Sequence, residues 1–187
     1  MQAQEGSGAP PRESAAPPLR VLMPSPIGPL GVELTGAAVS CLRINPGEPD
    51  RDAFTPLHQI DGSDFLDEVF GRLSEYFAGA RRKLDLAFDL GPCGVNGLAR
   101  RVLREAAKIP YGKTRTYHAL AETIGVPDLG RQVLSILLAN PIPILIPCHR
   151  VVEDRFEIGT YIGGAESKRW LLELERDSSS SATAVST

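Results

Sequence analysis

The feature that most restricts how this chain can fold is an apolar segment that contains three prolines. Residues 140–152 read NPIPILIPCHRVV. Proline lacks a backbone N–H and disfavours helical backbone in the residue before it, so this segment cannot continue a helix. Its branched apolar side chains favour burial in a core. We therefore predict a buried, extended segment that leads into Cys148 and His149.

The thiol of Cys148 and the imidazole of His149 are neighbours at the end of this segment. Cysteine reacts as the thiolate, and with an ordinary pKa of about 8.5 it needs a base or a positive neighbour. Adjacent side chains of an extended chain point to opposite sides, so the two groups require a bend at Cys148 or a bridging water. A buried cysteine is also commonly an inert part of a core. Taken alone, the pair is structural more often than catalytic.

A catalytic histidine usually has a partner that fixes its tautomer. Carboxylates that can orient His149 follow it in the chain, and their spacing alone does not select one. The candidates are Glu153, Asp154, Glu157, Glu166, Glu173 and Glu175.

The chain changes character near residue 93, and we predict an α+β fold with two domains. Before that point, β-prone runs separated by turn residues favour a small antiparallel sheet; they are Leu19–Pro24, Gly31–Leu34, Ala38–Ile44 and Lys83–Leu90. Apolar residues at helical spacing predict one helix there, over 65–77. The predicted division is a disordered leader (1–18), an N-terminal α/β domain (19–93), a mostly helical C-terminal domain (94–176) and a disordered tail (177–187).

The second region contains the pattern of a helix-turn-helix. Its predicted helices are 98–106, 116–125, 127–139 and 166–175. Thr116 is a good N-cap, and Gly125 and Pro127 form a tight turn between the two central helices. Such a pair of helices is typical of DNA-binding proteins, but it is also common in protein cores.

Charge is unevenly distributed along the chain. The net charge is −3, yet residues 98–131 contain 7 Lys or Arg against 3 Asp or Glu. This basic stretch is either a solvated helix face or a phosphate-binding patch. No stretch approaches the roughly 18 apolar residues of a membrane helix. The three scattered cysteines do not make a disulfide framework or a zinc site, and the N-terminus lacks the pattern of a secretory signal. We expect a soluble protein in a reducing, intracellular compartment.

Residues 147–151, PCHRV, resemble the active-site motif of the O6-alkylguanine-DNA alkyltransferases, which are single-use repair proteins. The resemblance is continuous from Ile109 to Glu175 and weak from Leu19 to Leu90. It includes IPYGKTRTY (109–117), GTYIGG (159–164) and KRWLL (168–172). It implies a winged-helix-like C-terminal domain that binds duplex DNA through the minor groove and rotates the alkylated guanine into a pocket.

The resemblance also implies roles for individual residues. Cys148 would take the alkyl group, and His149, held by Glu175, would accept the thiol proton through a water. Tyr117 would donate a proton to the leaving guanine, and Arg131 would replace the rotated base in the duplex. The remaining implied site residues are Thr116, Gln132, Ser135 and Arg115 for DNA binding, and Asn140, Tyr161, Ile162 and Gly163 for the substrate pocket. No cofactor and no metal are implied; we expect a monomer in the cytoplasm, or in the nucleus of a eukaryotic host.

Three departures from the family pattern stand out. Leu134 and Ile136 occupy positions where the family keeps small residues on the helix that approaches DNA. Ile162 replaces a Ser or Ala that lines the guanine pocket. On the first helix of the C-terminal region, leucines replace two aromatic residues at positions 98 and 103, a change we expect to be tolerated.

Two other functions remain as alternatives. The first is a non-enzymatic DNA sensor on the same fold, which the bulky helix 132–138 permits and the presence of Cys148 opposes. The second is a cysteine hydrolase, which is weaker because no glycine motif for an oxyanion hole flanks Cys148.

Overall fold

A computed structural model of the protein describes residues 17–60, 64–91, 93–95, 97–154 and 157–183. Most of the predicted leader and the last four residues of the predicted tail lie outside this part of the chain. In the described residues, no helix combines the length and the apolar character needed to cross a membrane.

The N-terminal part is built on a four-stranded sheet. Strands β1 (Leu19–Met23), β2 (Leu30–Thr35) and β3 (Ala38–Ile44) form the predicted antiparallel meander. A two-residue strand, β4 (Thr55–Pro56), joins the other edge of β1 in parallel, giving the order β3-β2-β1-β4. The sheet is therefore mixed rather than purely antiparallel.

One apolar face of this sheet shares a core with helix α1 (Asp64–Phe77). Val21, Val32 and Leu42 lie side by side in the register of the three strands, and all three are buried. Leu66, Val69 and Leu73 supply the buried stripe of α1 at helical spacing. The prediction of a helix over 65–77 is thus confirmed. The packing of α1 on the sheet places its last turn beside the C-terminal part.

The strand predicted over Lys83–Leu90 is wrong. Residues 83–90 run along β3 but make only an isolated bridge, between Phe88 and Val39. Asp85 adopts a left-handed backbone with φ 48°, and the Arg72 guanidinium binds the carbonyl oxygens of both Leu84 and Asp85. Because these carbonyls point to α1, they are not available for a strand ladder.

The C-terminal part contains the predicted helix-turn-helix. Its helices are α2 (Gly97–Ala106), α3 (Tyr117–Thr123) and α4 (Gly130–Leu138), with a turn of 3₁₀ helix over 127–129 before α4. The Thr116 hydroxyl caps α3 by accepting the Ala119 N–H at 3.1 Å, and Gly125 has φ 74° in the turn that follows. Strands β5 (Arg115–Thr116) and β6 (Val151–Val152) pair in parallel beneath these helices.

The last helix, α5 (Gly164–Thr183), is longer than predicted. Residues 177–183, assigned to a disordered tail, continue the helix. A contact with the N-terminal part accompanies this extension: Arg82 donates to the Ser178 carbonyl at 3.0 Å. Within the predicted part of the helix, the rings of Phe77 and Trp170 lie 5.9 Å apart. A tertiary contact therefore supports backbone whose sequence alone has weak helical preference.

Candidate active site

The proline-rich segment before Cys148 is buried but not extended, contrary to the prediction. Ile144 has a left-handed backbone with φ 74°, and the Ile146 N–H donates to the Ile142 carbonyl at 3.0 Å. Asn140 starts this turn by accepting the Ile142 N–H on Oδ1 at 3.1 Å. The segment therefore doubles back, with its three isoleucine side chains in the core.

The turn brings the Asn140 amide to the sulfur of Cys148. Its Nδ2 donates to the Ile146 carbonyl at 2.9 Å and to Cys148 Sγ at 3.1 Å. Cys148 is only 3% exposed, and burial raises the pKa of its thiol to about 11, against the opposing effects of the Asn140 hydrogen bond and the Lys168 charge. At neutral pH the sulfur is thus a thiol, which needs a base before it can act as a nucleophile.

The bend that Cys148 and His149 require is present as a 3₁₀ helix over Cys148–Arg150. Successive side chains of such a helix are about 120° apart instead of 180°. His149 is fully buried, and its Nε2 lies 3.0 Å from Glu175 Oε1. Its Nδ1 has no hydrogen-bond partner within the described chain. Burial lowers the pKa of His149, although Glu175 acts in the opposite direction, so the ring is a neutral imidazole at pH 7.

Glu175 is the carboxylate that the structure selects from the six candidates. Burial raises its pKa, but hydrogen bonds and charge from His149 and Arg150 outweigh burial and hold the pKa at about 2. An ionised carboxylate only accepts hydrogen bonds, so the proton on the imidazole belongs to Nε2. Nδ1 is consequently the free basic nitrogen of His149.

Among the described residues, four groups from different parts of the chain donate to Glu175. Arg150 binds both carboxylate oxygens, with its Nη2 2.8 Å from Oε1 and its Nε 2.9 Å from Oε2. The Gly112 N–H donates to Oε2 at 3.0 Å, and the Tyr76 hydroxyl donates to Oε1 at 2.7 Å. His149 is the fourth. This set explains how a carboxylate that is 1% exposed stays ionised.

Sequence reasoning missed three of the buried polar residues around this site: Tyr76, Arg150 and Lys168. Lys168 is 2% exposed and donates to the carbonyls of Val151 (2.7 Å) and Thr160 (3.1 Å). Burial lowers its pKa to about 8, while the nearby Cys148 acts to raise it. Its ammonium favours the thiolate form of Cys148. The signal in the sequence that could have identified Lys168 was its charge on the otherwise apolar face of α5.

The predicted pocket residues occupy different environments. Tyr161 is buried with its ring edge-on to His149, the centroids 6.2 Å apart. Ile162 is 41% exposed, and Gly163 packs so tightly on β3 that an added Cβ would lie 2.9 Å from Ile44 Cδ1. A cavity of about 620 Å³ beside this loop is lined by Asn140, Ile162 and residues of β3. Cys148 does not line it.

Helix α4 presents a polar face. Arg131, Gln132 and Ser135 are exposed on one side, opposite the buried Val133 and Leu137. The two bulky departures flank this face: Ile136 packs against the core, whereas Leu134 is half-buried and outside it. In the described part of the chain, the Arg131 side chain makes no hydrogen bond or ion pair.

Other predicted DNA-binding residues already have internal partners. The Thr116 hydroxyl caps α3, and Arg115 lies 3.4 Å from Glu105, which also binds Lys108. Tyr117 begins α3 and stacks on His118 with ring centroids 4.2 Å apart. Its predicted role in proton donation stays a prediction.

No group of three or more potential metal ligands comes together within the part of the chain that is described. The other two thiols, Cys41 and Cys93, line the cavity beside Ile162, and Cys93 Sγ donates to the Ser40 carbonyl at 3.1 Å.

Comparison with known proteins gives consistent matches. The family model described as 6-O-methylguanine DNA methyltransferase, DNA binding domain, matches residues 97–177. A Mycobacterium tuberculosis protein named methylated-DNA–protein-cysteine methyltransferase is 38% identical over 154 residues, which is 81% of this chain and 88% of that protein. A Methanosarcina acetivorans protein of the same name is 34% identical over 151 residues, 81% of this chain and 94% of its own.

Solved structures give the same result. The crystal structure of the Mycobacterium tuberculosis O6-methylguanine methyltransferase matches with a TM-score of 0.72 and 35% identity, over 86% of this chain and 93% of that one. The Mycobacterium tuberculosis OGT in complex with DNA matches with a TM-score of 0.72 and 35% identity, over 85% and 93%.

Proposed function

Since this chain belongs to the family of methylated-DNA–protein-cysteine methyltransferases, which repair DNA by moving a methyl group onto one of their own cysteines, we propose that Cys148 is the acceptor. The proposed donor is O6 of an alkylated guanine in duplex DNA. The observation that carries this proposal is the His149 imidazole, adjacent in sequence to a buried thiol, with Nε2 held by ionised Glu175 and Nδ1 free to accept a proton.

The reaction follows from these groups. His149 Nδ1 takes the Cys148 proton through a water, and the Asn140 amide and the Lys168 charge stabilise the resulting thiolate. The sulfur then attacks the methyl carbon; the S–C bond forms as the C–O6 bond breaks, and its electrons go to the guanine. Tyr117 donates a proton to guanine N3 as charge develops there. The thioether is stable, so each molecule reacts once.

DNA is the partner of this reaction, and α4 is the proposed contact helix. We propose that Arg131 enters the minor groove and fills the space of the rotated guanine, while Gln132, Ser135, Thr116 and Arg115 contact the flanking DNA. Asn140, Tyr161, Ile162 and Gly163 would line the pocket. We further propose that the protein is a monomer with two domains, 19–93 and 94–176. Its proposed location is a reducing cytoplasm, where the three free thiols stay reduced.

Intact-mass measurement after incubation with an oligonucleotide that contains O6-methylguanine tests the proposal. The expected result is a permanent gain of one methyl group on the peptide that contains Cys148. The gain should be absent in Cys148→Ala and unchanged in Cys41→Ala and Cys93→Ala, which remove the other thiols. Tight DNA binding with no change of mass would favour a sensor, and multiple turnover on an ester would favour a hydrolase.

A further inference from the structure

A hydroxyl group from the N-terminal part reaches the carboxylate of the proposed active site. Tyr76 lies in the last turn of α1 and is 1% exposed. Its hydroxyl oxygen is 2.7 Å from Glu175 Oε1, across 99 residues of sequence, and 3.4 Å from His149 Nε2. It is the one side chain from the sheet-bearing part that the described structure joins by hydrogen bonds to this carboxylate and imidazole.

The direction of these hydrogen bonds follows from charge. Glu175 is ionised and can only accept, so the Tyr76 hydroxyl donates to it. Burial and the charge of Glu175 raise the pKa of Tyr76 well above its usual value, so the phenol keeps its proton. Among the described residues, three side chains therefore donate to Oε1: Tyr76, His149 through Nε2, and Arg150 through Nη2 and Nε.

We infer that Tyr76 is a positioning residue for the proposed methyl transfer: its hydroxyl holds Glu175 Oε1 against His149 Nε2, so that the imidazole keeps Nδ1 as the free base. This inference rests on the proposed function. Tyr76 acts through Glu175 and His149, and it touches neither the sulfur nor the substrate.

Loss of this hydroxyl would change the basicity of the relay as well as its geometry. With one donor side chain fewer, the negative charge on Oε1 is less dispersed and attracts the imidazolium more strongly. The pKa of His149 then rises, and a larger fraction of the base is already protonated near neutral pH. As the pH is lowered, the methyl-transfer rate of the variant should consequently begin to fall at a higher pH than that of the wild type.

Tyr76→Phe removes only this hydroxyl and keeps the ring. The other groups that face the relay come from the 3₁₀ helix, the loop before α5, α5 itself and the turn after α2, and they are Cys148, Arg150, Tyr161, Lys168, Glu175 and the Gly112 N–H. A shift in the pH profile of the variant can therefore be assigned to the Tyr76 hydroxyl.

Tyr76→Phe tests the inference, and Tyr111→Phe is its matched control. The Tyr111 ring lies edge-on to Tyr76, 6.0 Å between centroids, and its buried hydroxyl has no hydrogen-bond partner within the described residues. Single-turnover rates of methyl transfer should be measured between about pH 5 and pH 9. We expect Tyr76→Phe to be about three- to tenfold slower at neutral pH, with its half-maximal pH raised by about half a unit or more, and Tyr111→Phe to match the wild type.

An NMR titration of the His149 ring nitrogens gives a readout that does not depend on methyl transfer. In the wild type, the spectrum should show a proton on Nε2 and none on Nδ1; the opposite tautomer overturns the inference even if the variant fails to fold. A higher His149 pKa in Tyr76→Phe supports the inference, and identical titrations or identical pH–rate profiles overturn it. Absence of methyl uptake by the wild type would instead overturn the proposed function.

Discussion

Asn140 donates a hydrogen from its side-chain amide to the sulfur of Cys148 across 3.1 Å, although eight residues separate them. The same amide donates to the Ile146 carbonyl, and its oxygen accepts the Ile142 N–H. One side chain thus holds the turn of the proline-rich loop and provides a hydrogen-bond donor for the proposed nucleophile. Loop shape and sulfur chemistry are therefore coupled at a single residue.

Asn140→Ala should impair both stability and reactivity. The variant leaves the buried Ile142 N–H without a partner, whereas the Ile146 carbonyl still accepts the Cys148 N–H at 2.8 Å. The loss costs about 1–3 kcal/mol of unfolding free energy. It also removes a donor to the thiolate, so the pKa of Cys148 should rise further above about 11. Urea unfolding and thiolate absorbance in a Cys41→Ser, Cys93→Ser background measure the two effects. A thiolate titration curve identical to that of the protein with Asn140 would refute the coupling between loop shape and sulfur chemistry.

His149→Ala should make methyl transfer depend on bulk hydroxide. With the pKa of Cys148 raised to about 11, only about one molecule in ten thousand is a thiolate at pH 7. Without the base, the rate should rise about tenfold per pH unit until it levels near pH 11. The wild-type rate should vary much less above the lowered pKa of His149. Single-turnover rates measured from about pH 7 to pH 11 test this prediction, and a pH-independent rate for the variant would contradict the role of His149.

Glu175→Gln should lower stability in a pH-dependent way. The pKa of Glu175 is about 2 in the folded protein, below its ordinary 4.5, so its contribution is complete above pH 4.5 and is lost as the pH falls to about 2. The shift corresponds to about 3 kcal/mol at pH 7. The stability difference between wild type and variant should therefore narrow in acid.

The matched control for this experiment is Glu173→Gln, which changes an exposed carboxylate on the same helix. It should alter the unfolding free energy by less than about 0.5 kcal/mol. Denaturant unfolding at several pH values compares the variants. A pH-independent difference for Glu175→Gln would show that ionisation of this carboxylate does not stabilise the fold.

Arg131→Ala should weaken repair without affecting stability. The side chain is exposed on α4, so its removal should change the unfolding free energy by less than about 0.5 kcal/mol. Loss of the group that we propose to replace the rotated guanine should slow methyl transfer from duplex DNA by tenfold or more, on the order of the few kcal/mol that unstacking costs. Arg20→Ala, on the sheet, is the control. Equal effects of both variants on rate would rule out a specific role for Arg131.

Ile162→Ser should widen access to the pocket at little structural cost. The Ile162 side chain is 41% exposed, so its truncation removes little buried area. If this side chain narrows the guanine site, the variant should react faster, and more so with larger O6-alkyl groups than with methyl. Rates on oligonucleotides with methyl and benzyl lesions provide the comparison. An identical rate ratio in both proteins would place Ile162 outside the pocket.

Local patterns were sufficient for much of the fold, because they act within a few residues. Alternation and turn residues predicted β1 to β3, and helical spacing predicted α1 and the helix-turn-helix. The failures depend on distant partners. Arg72 on α1 binds the carbonyls that a strand at 83–90 would need, and a hydrogen bond from Arg82 accompanies the extension of α5 beyond its predicted end.

In the candidate site, too, local patterns were sufficient for some residues, and residues that depend on distant partners were missed. Chain neighbours and family resemblance identified Cys148, His149 and Glu175, which the structure brings together. Tyr76 could not be identified as their neighbour, because it lies 99 positions before Glu175 and no local pattern relates the two residues. The fold of the segment before Cys148 was also missed, since the left-handed backbone of Ile144 is disfavoured for a β-branched residue.

The close packing of Gly163 on Ile44 connects the pocket loop to the opposite end of the chain. An added Cβ at position 163 would lie 2.9 Å from both Ile44 Cδ1 and Tyr161 Cε1, so one of these side chains would have to shift. If this loop lines the guanine pocket as proposed, the volume of the residue at position 44 affects the room for an incoming purine. A substitution at position 44 in the sheet is therefore a way to change which O6-alkyl groups are accepted without altering Cys148, His149 or Glu175.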